Sequence, residues 1–127
     1  MKVFADNIEE KTISNTYFRQ VLYTGQHAQL VLMCLMPASD IGEEVHEVTD
    51  QFFRIEKGEG KVILNAKEYP VRDGTAILVP AGTKHNIINT SLNKKLFLYT
   101  IYCPPHHKHG VVHKTKKEAL NDHEDHL

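Results

Sequence analysis

Between residues 17 and 103 the chain alternates short apolar runs with clusters of turn formers, and no long stretch there carries a helical period. The runs, rich in Val, Ile, Leu, Phe and Tyr, predict strands over 17–23, 28–37, 51–57, 60–65, 67–72, 76–80, 85–90 and 95–103. Gly25, Lys57-Gly58-Glu59-Gly60, Asn65-Ala66, Asp73-Gly74, Ala81-Gly82 and Ser91-Leu92-Asn93 separate them. Many short strands without intervening helices predict an all-β sandwich or barrel. The one convincing helical stretch is late, over 114–121, with Thr115 placed to cap it. No repeat or linker divides the chain, so residues 1–127 read as one domain with a core barrel over about 28–103. After Tyr102 the composition changes: Cys103-Pro104-Pro105 breaks the strand, and a polar, histidine-rich tail over 104–127 follows. That tail is expected to wrap the barrel or a neighbouring subunit, with its last residues, HEDHL, disordered.

The alternation also sorts side chains by face. From residue 51, Gln51, Phe53 and Ile55 share one face, and Phe52, Arg54 and Glu56 share the other. The run 74–89, GTAILVPAGTKHNIIN, stops at Pro80-Ala81-Gly82 and then resumes as strand with His85, Ile87 and Asn89 on one face. Glu44 and His46 are two apart and, on a strand, point the same way; Val48-Thr49-Asp50 supplies a turn before Gln51. If these faces line the interior, Glu44, His46, Gln51 and His85 bring one carboxylate, two imidazoles and an amide oxygen together from two hairpins. That donor set suits one divalent first-row transition metal, Fe, Mn, Ni, Co or Zn. It contains no thiolate, which argues against a structural zinc site.

Composition narrows the rest. The balance of 15 basic and 16 acidic residues, a net charge of -1, excludes the basic face of a nucleic-acid binder. The longest apolar run, over 30–36, suits a buried strand and is too short to span a membrane. The opening MKVFADNIEEKT lacks the apolar core of a signal peptide, so a cytoplasmic location is expected. Cys34 and Cys103, both in strand-like runs, are expected as buried reduced thiols. Nine histidines say little as a count, because most follow Pro104. His106, His107 and His109 read as loop residues without a scaffold for a second metal site, and His113 as a residue that docks the tail. Phe52, Phe97 and the run over 30–36 suggest a covered surface, for which a homodimer is the expected cover.

The spacing of Gly74, Pro80, Gly82, His85 and Asn89 matches the second motif of the cupins at all five positions. Glu44, His46, Gln51 and Gly58 keep the spacing of the first motif, with Glu44 where a histidine is usual and Gln51 where a glutamate is usual. The chain therefore resembles a small single-domain bacterial cupin of the RmlC-like kind, often grouped with mannose-6-phosphate isomerase-like cupins. The resemblance implies a double-stranded β-helix, or jelly roll. It also implies a mononuclear metal held by Glu44, His46, Gln51 and His85. Glu44 restores the charge that Gln51 removes from the usual ligand set. In an alternative arrangement Glu44 stays off the metal and serves as catalytic acid or base, leaving three protein ligands and an open face. Each residue also has a plainer role: His85 bonding its turn, Gln51 polar at a barrel mouth, Glu44 a solvated acid in an acidic run.

The leading expectation is an enzyme of isomerase or dioxygenase type acting on a small polar or sugar-like substrate. A non-catalytic ligand- or metal-sensing cupin and a scaffold with a decayed site are the alternatives. Lys84 alone is thin support for phosphate recognition.

Overall fold

The computed structural model describes residues 3–127. In chain order the elements are α1 Ile8–Ser14, β1 Arg19–Thr24, β2 Gln29–Leu35, β3 Asp50–Lys57, β4 Glu59–Leu64, β5 Lys67–Arg72, β6 Ala76–Val79, β7 His85–Asn89, β8 Leu96–Cys103, β9 Val112–His113 and α2 Lys116–Asn121. Every expected strand is present within two residues of its expected ends. All ladders are antiparallel. One sheet runs β6-β3-β8-β2-β1-β9 and the other β5-β4-β7.

Alternation places one apolar set between the two sheets. Val31, Met33 and Leu35 from β2 meet Phe53 and Ile55 from β3, Val62 from β4, Ile87 from β7 and Leu98 from β8 in one buried cluster. Gly60 of β4 sits where β4 and β7 approach closely; a Cβ there would lie 2.3 Å from the Ile88 carbonyl oxygen. The β4–β5 hairpin turns through Asn65 and Ala66, both with positive φ, as a two-residue hairpin requires. Its tip is tied to Lys84: Asn65 N donates to Lys84 O at 2.8 Å, and Lys84 N to Asn65 Oδ1 at 3.1 Å. That anchors the residue before His85.

Four expectations are corrected. Helix α1 was not expected; Asn7 caps it by accepting from Glu10 N, and it lies against β2, β3 and β8. Leu32 and Cys34, on the face of β2 opposite the core set, are buried within the single chain, so the apolar run over 30–36 does not by itself call for a second subunit. Cys103, the last residue of β8, is exposed rather than buried, because the covered face ends at Tyr102. The tail is ordered to its end: Asp125 is buried, and Leu127 N donates to His106 O at 2.9 Å. Its start is held by Gln29, whose fully buried side chain accepts from the amides of His106 and His107 and donates to the His107 carbonyl. Helix α2 begins one residue after its expected cap, Thr115. Among the described residues no helix is long and apolar enough to cross a membrane.

Candidate metal centre

The segment carrying Glu44 and His46 is not the regular strand expected from its spacing. Residues 39–44 run as an irregular strip beside β7, with Asn89 N bonded to Ser39 O, Ile41 N to Ile87 O, and Glu44 and His85 exchanging both backbone hydrogen bonds at 2.9 Å. Glu44 thus lies opposite His85. Two residues on, the His46 carbonyl accepts from Gly82 N at 2.8 Å, which joins the strip to the turn before His85. Backbone pairing, not side-chain attraction, therefore sets the spacing of the three side chains.

Those side chains converge. Glu44, His46 and His85 each offer a ligand atom, and all three atoms lie within 4.8 Å of one another. Glu44 Oε2 is 2.7 Å from His46 Nε2, yet the buried Nε2 has no properly directed hydrogen bond. The two atoms form a close ion pair, and with His85 beside them the three side chains could hold a metal ion. His85 Nδ1 lies 2.9 Å from the Thr83 carbonyl, so Nδ1 carries the proton and Nε2 keeps its lone pair for the site. Gln51 is buried on β3, facing Tyr102 across the ladder with Val79 on its other side. Its Nε2 donates to Thr100 Oγ1 at 2.9 Å, while Oε1 is buried with no partner. An unpaired buried amide oxygen costs about 1–3 kcal/mol, and a cation would remove that cost.

The charge states agree. Burial alone would raise the Glu44 carboxyl, but the adjacent His46 outweighs it, helped by Arg19 and His85, and holds Glu44 below the ordinary carboxylate range. Burial lowers His85, and His46 adds to this against the opposing pulls of Thr83 and Glu44. The site thus offers an ionised carboxylate and a neutral imidazole at neutral pH. These are the forms that bind metal.

Residues 31–100 match the family described as Cupin_2, the cupin domain. The chain belongs to the cupin domain family. The cupin is 48% identical over 125 residues to the Bacillus subtilis protein YrkC, covering 94% of this chain and 67% of that one. It superposes on the crystal structure of BH2720 from Bacillus halodurans with TM-score 0.93 and 45% identity, covering 95% of this chain and 96% of that one. A Thermotoga maritima protein described as a predicted oxalate decarboxylase shares 28% identity at TM-score 0.59, over 63% of this chain and 69% of that one. A metal is common in such barrels, and the grouped donors fit one: a carboxylate and two imidazoles.

Sequence reasoning passed over the wall of this site. The His106 ring lies 4.4 Å from that of His46 and stacks on Tyr102 at 5.2 Å. Burial first, then His46 and His126, lower His106 to about 4, so it stands as a neutral ring beside the ligands. His107 is fully buried, with Nδ1 on Asp125 at 2.9 Å and Nε2 3.3 Å from the Tyr102 hydroxyl. His106 and His107 are therefore not simple loop residues. The only advance signal was the strand break at Cys103-Pro104-Pro105, which aims the next residues back at the barrel mouth. His109 remains at the surface, on Thr24 Oγ1. His113 docks the tail between Arg19 and Asp122.

Proposed function

We propose that this cupin is an enzyme that binds one divalent transition metal inside the barrel through Glu44, His46, Gln51 and His85. Its substrate is a small, polar, unphosphorylated molecule of acid or sugar type, transformed by isomerase- or dioxygenase-type chemistry. The observation that carries this reading is the convergence of one ligand atom each from Glu44, His46 and His85 within 4.8 Å of one another. When bound, the metal supplies Lewis acidity toward a substrate oxygen and, if redox-active, a site for dioxygen.

The chain's own residues do the rest. The Thr83 carbonyl orients His85, and Thr100 orients Gln51. Phe53, its ring 6.0 Å from His85, and Tyr102, 5.8 Å from His46, wall the interior and limit substrate size. Ionised at neutral pH, Glu44 can accept a proton at Oε if substrate displaces it from the ligand set. Phosphate is disfavoured because the basic side chains cluster elsewhere. Lys57, Arg72, Lys94 and Lys95 line a cleft of about 950 Å³ at the far end of β3, roughly 20 Å from Gln51 at strand spacing. A small acid, oxalate, is also the substrate in the description of the Thermotoga protein.

The test is metal analysis of protein purified without chelators, followed by a panel of small acids and sugars with oxygen uptake recorded. One equivalent should be lost in His46→Ala and in His85→Ala, together with turnover. Failure of either variant to lose metal would overturn the ligand assignment. Metal binding without turnover across the panel would replace the enzyme with a sensing module.

A further inference from the structure

We propose that His106, His107 and His126 form a second divalent-metal site, of tris-imidazole zinc type, that fastens the C-terminal segment over the barrel mouth. The three residues lie outside the matched cupin segment, which ends at residue 100. Their ligand nitrogens all fall within 4.8 Å of one another. The rings are 4.4 Å apart for His106 and His126, 4.8 Å for His106 and His107, and 5.2 Å for His107 and His126. Residue spacing alone could not bring positions 107 and 126 together; a backbone bridge between them does, with Leu127 N on His106 O beside it.

Hydrogen bonding around the cluster has the pattern of a metal site. His107 Nδ1 is paired with Asp125 Oδ2 at 2.9 Å, and both side chains are almost wholly buried. A histidine whose Nδ1–H is held by a carboxylate presents a fixed, basic Nε2, the usual outer support of a ligating imidazole. That Nε2 has only the Tyr102 hydroxyl, at 3.3 Å, a longer contact than a good hydrogen bond. Among the described residues the half-buried His106 ring has ring contacts to His46, Tyr102, His107 and His126. His126, exposed at its outer side, has Nε2 at 3.2 Å from Asp125 Oδ1, which leaves Nδ1 for a cation. Arg19 Nη1 lies 3.9 Å from Asp125 Oδ2. Three imidazoles match the protein ligand count of an open zinc site. His106 also touches His46, so a metal at the second site fixes the wall of the first.

The test uses the full chain, stripped of metal and titrated with Zn²⁺, with bound metal counted after gel filtration. Wild type should retain two equivalents, and His126→Ala and His85→Ala one each, losing different sites. His126 is exposed, so its loss should leave the thermal melt of the metal-free protein unchanged. Zn²⁺ should protect the tail from carboxypeptidase in wild type and His85→Ala, but at least about tenfold less in His126→Ala. His123→Ala, which removes an exposed imidazole of the same tail, should behave as wild type. Equal zinc content in wild type and His126→Ala, or equal loss in His123→Ala and His126→Ala, would overturn the proposal. The His85→Ala arm reads the barrel site separately, so either site can fail without the other.

Discussion

The amide of Gly82 donates to the carbonyl of His46 across 2.8 Å. With the paired backbones of Glu44 and His85, this bond locks together the two segments that carry the candidate site residues. The turn needs a left-handed residue at 82, where φ is +85°.

Gly82→Ala isolates that requirement. An added Cβ meets nothing within 4 Å, so the cost is backbone strain alone, about 1–2 kcal/mol. The thermal midpoint should fall by several degrees, and metal affinity should weaken as the turn shifts. An unchanged melt would show that the turn does not need glycine.

Gln51→Glu restores the carboxylate usual in this family. The unpartnered Oε1 shows that the site accepts an acceptor there without a competing donor, and Thr100 can reverse its hydroxyl to donate. Divalent-metal affinity should rise at least about tenfold, equivalent to about 1.4 kcal/mol, whereas the metal-free protein should be less stable, with a second carboxylate buried near Glu44. Calorimetric titration checks the first expectation and a melt in chelator the second. Weaker metal binding would place Gln51 outside the ligand set.

Gly60→Ala tests the closest approach of β4 and β7. The new methyl would stand 2.3 Å from backbone oxygen, which cannot swing aside as a side chain does. Destabilisation of about 1–3 kcal/mol or more is expected from overpacking, read by denaturant titration. A neutral outcome would mean that the two strands separate easily.

Asp40→Asn tests how α2 is held. Burial would raise the Asp40 carboxyl, but hydrogen bonds from Lys116 and Asn86 and the Lys116 charge outweigh it and lower the group. A lowered carboxyl stabilises the fold above its unfolded value, near 3.9, and loses that contribution as pH falls through the folded value. The variant should therefore be less stable than wild type at pH 7 by up to about 1 kcal/mol, since the pair is partly exposed, with the gap closing below about pH 4. A gap that persists at pH 2 would assign the loss to packing rather than charge.

The strands and the inward direction of the candidate site residues were legible in the chain for a local reason. Period-two alternation is a property of each strand, and turn glycines such as Gly74 and Gly82 mark where strands end. His85 could be assigned an inward direction from its neighbours Ile87 and Asn89 alone. Helix α1 was missed because seven residues carry too little periodicity to register. The run over 30–36 could not by itself indicate a second subunit, since a buried outward face looks the same whether the chain's own elements or a second subunit hide it. The tail was decided entirely by tertiary structure. His107 and His126 are 19 positions apart with no repeating pattern between them, and their meeting depends on Gln29 capturing the chain after β8 and on Asp125 being buried. Alternation records which way a side chain points within its own strand; it holds no information about which distant segment folds back to meet it.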